Sequence, residues 1–282
     1  MDYKKEYENY KTKYLQLKKE MNINEIESKI KLLKESSDKS FVLANIGLSD
    51  DEKQLVDDIK IIYHENTKNN MSYMGKFNAD IIATQIQEFL EQLGNDNEKS
   101  KLIVNILINK IIKQYLIGNQ SDSLWFTIRT YDRATASYII PRWHTDGNFY
   151  KPNEIDPYQL KLAGVFKGPA TLFKKYNSEL QTKFKSLYKE LYSNFDYKDR
   201  EKDISNRKIL DNEFKNYEQT SSKFDQVVIF IVGSETRSAI HSEPNIDRER
   251  FFFSVVAGNE EQIRELALRS NQVYIDTINK TN

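Results

Sequence analysis

Two histidines and one aspartate are the residues of this chain best suited to bind a metal ion. His144 and Asp146 are separated by one residue in the segment Trp-His-Thr-Asp-Gly, and His241 follows much later, before Ser-Glu-Pro. The chain of 282 residues contains only three histidines, so two of the three belong to this set. Two imidazoles and one carboxylate are the ligand set of a facial iron(II) site, which leaves coordination positions open for other molecules.

The spacing of His144 and Asp146 restricts the local structure that can support such a site. Side chains at positions i and i+2 of an extended segment point to the same side, whereas a helix directs them apart. We therefore expect a strand or a strand-like turn at 144–146. Each residue taken alone also has a structural interpretation: a hydrogen-bonded core histidine, a turn aspartate before Gly147, and a surface histidine at 241.

Three segments near these residues have compositions typical of strands. The segment LWFTIRTY at 124–131 alternates between a face that we expect to be core and a face that we expect to line a pocket, namely Leu124, Phe126 and Ile128 against Trp125, Thr127, Arg129 and Tyr131. The apolar run QVVIFIVG at 226–233 predicts a strand buried on both faces. The alternation of RFFFSVV at 250–256 predicts a further strand that begins with a charged residue.

Arg250 and Arg248 are the candidates for an anion-binding group beside the metal. A guanidinium can hold the carboxylate of a bound acid through two parallel hydrogen bonds. Arg250 is the better candidate because it opens the 250–256 strand, and Arg248 is the reserve on the same side. The alternative is an arginine that is exposed or ion-paired at the surface.

In this order, the segments resemble those of the iron(II)- and 2-oxoglutarate-dependent dioxygenases, and within them the prolyl-4-hydroxylase-like group. The matching elements, which span 124–256, are Arg129 with Tyr131, Tyr138, His144 with Asp146, GPATLF at 168–173, the 226–233 run, His241 and Arg250. The chain departs from the family pattern at the turn DRATAS, which lacks the customary glycine, and in the longer interval from Tyr131 to His144. A charged segment at about 174–222 also lengthens the distance to His241.

The resemblance implies an α+β protein with a double-stranded β-helix, or jelly-roll, core. It implies that His144, Asp146 and His241 are catalytic residues that hold iron(II), and that 2-oxoglutarate and dioxygen are co-reactants. The substrate would be an unidentified small molecule or peptide that is oxidised, most simply by hydroxylation, while 2-oxoglutarate is decarboxylated. The implied cosubstrate-binding residues are Arg250 at the distal carboxylate, with Tyr131, Tyr138 and Arg129.

Two alternatives stay open at this stage. A cupin-like enzyme could use the same metal ligands without 2-oxoglutarate, and a non-catalytic structural protein could retain a degenerate oxygenase fold. The substrate itself cannot be inferred from fold analogy, because specificity depends on loops and on the geometry of the site.

The rest of the chain predicts three regions. Residues 1–118 form a helical N-terminal region that supports the barrel, 119–258 form the catalytic core with a helical and charged insertion at about 174–222, and 259–282 form a C-terminal helix. Within the first region we expect helices at about 50–64, where Ser49 and Glu52 form a capping box, at 78–93 and at 97–116. In the insertion, a helix follows Asn177, and the segment DYKDREKDISNRK is expected to be mobile, either a substrate-recognising lid or a solvated loop.

Composition indicates the setting in which the protein works. There are 42 basic and 42 acidic residues, so the net charge does not indicate nucleic-acid binding. The absence of cysteine, and of an apolar signal or membrane segment, leads us to expect an intracellular, cytoplasmic protein. The opening YKKEYENYKTKYLQLKK resembles N-terminal segments from large DNA viruses, in which case the location would be host cytoplasm or virion. Its tyrosine spacing predicts a helix that packs on the core or forms a homodimer.

Overall fold

The computed structural model describes residues 25–133, 139–151, 158–196 and 198–275. Nine strands lie within these ranges: β1 Phe41–Asn45, β2 Asn70–Lys76, β3 Ser123–Tyr131, β4 Gln159–Lys167, β5 Leu172–Lys174, β6 Gln219–Ser221, β7 Gln226–Val232, β8 His241–Ser242 and β9 Arg250–Gly258. The α-helices within them are α1 Glu25–Glu35, α2 Asp50–Asp57, α3 Ala79–Gln92, α4 Asn97–Asn105, α5 Lys113–Asn119, α6 Ser178–Tyr192, α7 Arg200–Phe214 and α8 Glu260–Arg269. A π-helical stretch, Ile106–Ile112, joins α4 to α5.

The strands form two antiparallel sheets. The larger has six strands in the order β1-β7-β4-β9-β3-β2, and the smaller has three in the order β6-β5-β8. Neighbouring strands in the larger sheet come from distant parts of the chain, so long-range pairing holds it together. The protein therefore combines helices with antiparallel sheets.

The alternation predicted for the strand at 124–131 is confirmed. Leu124, Phe126 and Ile128 of β3 are fully buried in the main hydrophobic core. The opposite face of the same strand, which carries Thr127 and Arg129, borders a cavity between the two sheets. The predicted strands at 226–233 and 250–256 are also present as β7 and β9, and both are almost entirely buried.

Helices α1 to α5 cover one face of the six-stranded sheet, and their apolar sides form the main core with it. The predicted capping box is present, because Ser49 Oγ accepts from the Glu52 backbone and the Glu52 carboxylate accepts from the Ser49 backbone. Helix α2 ends at Asp57, earlier than the predicted residue 64. The backbone of Lys60 is instead paired in both directions with the Asn95 side chain, and this long-range contact replaces further helical bonds.

The region 1–118, expected to be helical, also contains two strands that the sequence did not indicate. β1 and β2 lie in this region and form the two edges of the six-stranded sheet. Their sequences, FVLAN and NMSYMGK, are short, and β2 mixes polar, aromatic and glycine residues without a clear alternation. Pairing with β7 and β3 therefore decides their conformation more than local propensity does.

Most of the segment DYKDREKDISNRK, expected to be a mobile lid or loop, is helical, and Tyr197 within it lies outside the described residues. The helical part belongs to α7, which begins after Asp199, whose side chain accepts from Lys202 N. Leu210 and Phe214 of α7 are fully buried against α6 and the outer side of the small sheet. The buried face follows the charged part of the segment and anchors the helix.

The C-terminal helix is shorter than predicted, since α8 ends at Arg269. None of the helices in the described ranges is long and apolar enough to cross a bilayer. The tyrosine-rich opening of the chain, with its predicted homodimer contact, lies outside the described residues.

Candidate metal centre

The two histidines lie opposite each other on neighbouring extended segments. β8 pairs with β5 on one side, and on its other side His241 forms an antiparallel bridge with His144. Each histidine N–H donates to the other's carbonyl oxygen at 2.9 Å. Two residues that exchange both hydrogen bonds direct their side chains to the same face. The imidazole centroids are accordingly 4.3 Å apart.

Both imidazoles are held in the same orientation by a backbone carbonyl. His144 Nδ1 lies 2.8 Å from the Arg142 carbonyl oxygen, and His241 Nδ1 lies 3.0 Å from the Ala239 carbonyl oxygen. A carbonyl oxygen only accepts, so each Nδ1 carries the proton and each Nε2 keeps its lone pair. Histidines that bind metals through one nitrogen usually donate the other N–H to such a group.

Asp146 completes the group. Its Oδ1 lies 3.8 Å from His144 Nε2 and 3.7 Å from His241 Nε2, and one ligand atom from each residue falls within 4.8 Å of the others. Ligand atoms that are each about 2 Å from one ion lie about 3–4 Å apart. The donor set and its spacing therefore fit a single metal ion.

The backbone of Asp146 is fixed by a turn that requires glycine. Gly233 N donates to the Asp146 carbonyl oxygen at 2.9 Å. Gly233 has φ = 67°, and a Cβ there would overlap the Asn148 side chain. Glycine at the end of β7 therefore allows the segment after Asp146 to approach closely.

Lys161 of β4 binds the second carboxylate oxygen of Asp146. Its Nζ lies 2.9 Å from Asp146 Oδ2, and it also lies over the rings of Phe149 and Phe230 at 5.5 and 5.8 Å. The ammonium group thus compensates a carboxylate that is mostly screened from solvent. Oδ1 stays directed toward the two imidazoles.

The electrostatics favour the protonation states that metal binding requires. Burial raises the pKa of Asp146, but the Lys161 ammonium, together with the two imidazoles in their protonated forms, outweighs it and holds that pKa well below its usual range. Burial, reinforced by repulsion from His144, lowers the pKa of His241 to about 4. Asp146 is therefore ionised and His241 neutral at neutral pH, as ligands of a metal must be.

The three side chains border a cavity of about 280 Å³ between the two sheets. Residues from β3, β4, β7 and β9 line it on the side of the large sheet, and His241, Glu243 and Thr171 line it on the side of the small sheet. Open space beside the ligand atoms is what distinguishes a reactive metal site from a closed structural one.

The structure distinguishes the two arginines that the sequence left open. Arg250 is buried and lines the cavity, where its Nε donates to the Pro169 carbonyl oxygen at 2.8 Å and its Nη2 lies 3.4 Å from Thr171 Oγ1. Arg248 is exposed and lies beside Asp247. Gly168, with φ = 83°, permits this approach, because a Cβ there would overlap the backbone at Arg250.

An ion pair flanks the histidines. Arg142 and Glu243, two residues before His144 and two after His241, are joined by a hydrogen-bonded salt bridge and both line the cavity. Burial would raise the pKa of Glu243, but the hydrogen bond from Arg142 and nearby positive charge lower it to about 2. The pair ties together the two segments that carry the histidines.

The insertion supports the metal centre from outside. Trp143, which precedes His144, is buried, and its Nε1 donates to Asp211 Oδ1 of α7 at 3.0 Å. The Lys174 ammonium lies 4.5 Å from the centre of the Trp143 ring. The residue next to a candidate ligand is therefore held between β5 and the second insertion helix.

Most of the predicted site residues border one cavity. Tyr131 and Arg129 line it together with the three candidate ligands and Arg250, whereas Tyr138 lies outside the described residues. His64, read as exposed from the sequence, is exposed.

Lys161, Thr171, Arg142 and Glu243 were missed as site residues. A signal existed for the last two, since each stands two positions from a histidine in an extended segment and so shares its side. Lys161 is a single charge in a largely apolar run, and its role depends on a pairing that the local sequence does not encode.

Comparisons with known proteins give a likeness of fold only. No family model matches the chain, and no curated protein matches it in sequence. Similar solved structures include a prolyl-4-hydroxylase from Pseudomonas putida, with 8% identity and a TM-score of 0.38 over 83% of this chain and 94% of that chain. A dioxygenase for auxin oxidation from rice has 8% identity and a TM-score of 0.45 over 88% of this chain and 92% of that chain.

A third similar structure is the Kdo hydroxylase KdoO, a non-heme Fe(II) alphaketoglutarate-dependent dioxygenase in complex with cobalt(II). It has 14% identity and a TM-score of 0.44 over 90% of this chain and 94% of that chain. At such identities and TM-scores, the likeness does not assign an activity to this chain.

Proposed function

We propose that this protein is an iron(II)- and 2-oxoglutarate-dependent oxygenase that hydroxylates its substrate. The observation that carries the proposal is the convergence of His144 Nε2, His241 Nε2 and Asp146 Oδ1 beside a cavity between the two sheets. Two imidazoles and one carboxylate with open space beside them match the facial set used by non-heme iron(II) oxygenases.

Within this proposal, His144, Asp146 and His241 hold the metal and the residues around them prepare it. The Arg142 and Ala239 carbonyls keep the proton on each Nδ1, so each imidazole presents a lone pair. Lys161 keeps Asp146 Oδ2 engaged, which leaves Oδ1 as the oxygen for the ion. When bound, iron(II) supplies the activation of dioxygen that couples oxidative decarboxylation of 2-oxoglutarate to succinate with oxidation of the substrate.

Arg250 is proposed to bind the distal carboxylate of 2-oxoglutarate. Its guanidinium is buried in the cavity wall beside the Thr171 hydroxyl, and a buried guanidinium gains most from a charge-assisted pair with a carboxylate. Tyr131 is the cross-strand partner of Arg250 between β3 and β9, so its hydroxyl is a further donor candidate on that wall. Tyr138 stays a prediction of the family resemblance.

The architecture around the site supports a double-stranded β-helix as the finer description of the fold. Phe173 of the small sheet packs against Phe230 and Phe41 of the large sheet, with ring centroids 5.2 and 5.1 Å apart. The apolar contact between the sheets closes one part of the space between them, and the candidate metal centre occupies another. Such a core excludes water from a reactive centre.

The direct test is spectroscopic. Anaerobic addition of iron(II) and 2-oxoglutarate should produce the visible charge-transfer absorption of the chelate, and His144→Ala and Asp146→Ala should lose it. His64→Ala is the matched control, since the exposed third histidine lies outside the cavity and its variant should keep the band. A parent protein that binds iron(II) without this band would refute the proposal in favour of a cupin-like enzyme, and one that binds no metal would favour a structural role.

Arg250 gives an independent test of the cosubstrate. Arg250→Gln should weaken 2-oxoglutarate binding by about tenfold or more, because a charge-assisted bidentate pair is lost. The exposed Arg248→Gln should bind 2-oxoglutarate as the parent does. Equal affinity in all three proteins would mean that this wall does not bind the diacid.

A further inference from the structure

The cavity beside the candidate metal centre has more basic than acidic side chains. In the described part of the chain, its charged lining residues, other than histidine, are four cations and two anions: Arg129, Arg142, Lys161 and Arg250 against Asp146 and Glu243. The double charges of iron(II) and of 2-oxoglutarate cancel when both are bound, so the positive excess remains. A cavity with residual positive charge concentrates anionic ligands.

Three of these four cations are already engaged. Lys161 is bound to Asp146 Oδ2, and Arg142 is paired with Glu243. Arg250 is buried and donates to the Pro169 carbonyl oxygen. None of the three is free to bind a further anion without breaking an existing contact or displacing the cosubstrate.

Arg129 differs from the other three. It lines the cavity and is exposed, and within the described ranges no hydrogen bond, ion pair or ring contact engages its guanidinium. Its position is fixed by β3, where its backbone pairs with Asn70 on one side and with Phe252 on the other. A rigid central strand therefore presents an uncompensated guanidinium to the space beside the metal centre.

We propose that Arg129 binds an anionic group, a carboxylate or a phosphate, of the primary substrate. This inference rests on the function proposed above and assigns Arg129 to the substrate rather than to 2-oxoglutarate. Arg250 is buried, so it fits the binding of 2-oxoglutarate deep in the cavity. Arg129 is exposed and suits a ligand that arrives from solvent after the cosubstrate is in place. A planar guanidinium forms paired hydrogen bonds with either class of anion.

The test uses the full-length protein loaded with cobalt(II) and saturated with N-oxalylglycine, an unreactive analogue of 2-oxoglutarate. Each of two probe pairs compares an anionic ligand with a neutral one: N-acetylglycine with N-acetylglycinamide, in which an amide replaces the carboxylate, and glycerol phosphate with glycerol, which lacks the phosphate group. Trp125 lines the same cavity, so quenching of its fluorescence reports binding. One charged probe should bind at least about tenfold more tightly than its neutral partner, and its identity distinguishes carboxylate from phosphate.

Arg129→Gln should weaken binding of the preferred charged probe by about tenfold or more and leave the neutral probe unaffected. Arg129→Lys should restore part of the affinity, because it keeps the charge but not the fork. Arg248→Gln is the matched control, since it removes an exposed arginine outside the cavity, and it should bind the probe as the parent does.

The outcomes separate the two proposals. Failure of the parent to bind cobalt(II) and N-oxalylglycine would overturn the proposed function and this inference together. Binding of both without a preference for charged probes, or with equal preference in Arg129→Gln, would overturn the assignment of Arg129 and leave the proposed function standing.

Discussion

The two faces of the six-stranded sheet differ sharply, although the same strands build both. On the helix-covered face, β3 contributes Leu124, Phe126 and Ile128 to a continuous apolar core. On the cavity face, the same strand contributes Thr127 and Arg129, which line a space shared with charged residues of β4 and β9. One alternating sequence thus serves two purposes.

The helix-covered face mainly stabilises the fold, whereas the cavity face mainly binds ligands. Apolar burial on the helix face stabilises the fold in proportion to the area removed from water. The largely buried Lys161–Asp146 pair on the cavity face does not contribute in this way, because desolvation offsets much of the attraction between such charges. Substitutions on the helix face should therefore change the free energy of unfolding, and substitutions on the cavity face should change ligand binding.

The largest expected effect on metal binding is on the cavity face, at Asp146. Asp146→Ala should abolish stoichiometric binding of iron(II) or cobalt(II), because one of three ligands is removed. A parent protein with metal at a hundredfold excess over its dissociation constant should gain about 2.7 kcal/mol in stability. The variant should gain none, and thermal denaturation with and without metal measures the difference.

Asp146→Ala also leaves the Lys161 ammonium without its partner, so a second variant is needed. Asp146→Ala with Lys161→Met removes both charges and should regain stability in the metal-free protein while still failing to bind metal. Recovery of metal binding in the double variant would show that Asp146 is not a ligand.

Phe126 provides the counterpart on the helix face. Phe126→Ala should lower the free energy of unfolding by about 3–5 kcal/mol, because a fully buried ring leaves a cavity in the main core. The folded variant should still bind cobalt(II) with the affinity of the parent. Urea denaturation and metal titration measure the two quantities, and a folded Phe126→Ala protein without metal affinity would contradict the separation of the faces.

A substitution in the insertion can test whether contacts outside the cavity affect metal affinity. Asp211→Ala removes the acceptor of the Trp143 Nε1 hydrogen bond and should cost about 1–3 kcal/mol. Metal affinity should fall as well, because Trp143 precedes His144. The exposed neighbour on the same helix, Asn212→Ala, is the control and should change neither quantity. A loss of stability with unchanged metal affinity would confine α7 to a structural role.

The smallest effect on the free energy of unfolding is expected at a hydrogen bond between two hydroxyl groups on the cavity face. Thr127 Oγ1 and Ser254 Oγ are 2.8 Å apart between β3 and β9, and both residues are buried. A double-mutant cycle with Thr127→Val and Ser254→Ala should give a coupling energy of about 0.5–1.5 kcal/mol. Denaturant unfolding measures it, and strict additivity would mean that the hydroxyl pair does not stabilise the sheet.

Local patterns predicted the parts of the fold that depend on neighbours in the sequence. The alternation of β3 and β9, the capping box at Ser49 and the helix after Asn177 are confirmed, since each reflects side-chain direction or a local hydrogen bond. β1 and β2 were missed because short edge strands take their conformation from their partners. Helix α7 was misread because its buried residues contact elements distant in the chain.

Three predictions concern residues outside the described ranges and keep the status of predictions. They are the homodimer helix, the viral resemblance and the role of Tyr138. The three-region division of the chain also stays a prediction.

The sequence by itself determined the kinds of ligand available and their local directions. His144 and Asp146 share a side because they are two residues apart on an extended segment, and Arg250 faces the same side of β9 as Ser254 for the same reason. Periodicity of this kind is a property of the backbone, so it can be read without knowing the fold.

Only the tertiary structure decided which groups meet. It brings His241 opposite His144, pairs Lys161 with Asp146, and places Arg250 rather than Arg248 in the cavity wall. Each of these contacts depends on the register between strands from distant parts of the chain, and a slip of one residue would turn the side chains to the other face. The register of each strand pair depends on how the whole sheet is buried against its helices. The sequence of one segment alone does not contain this information.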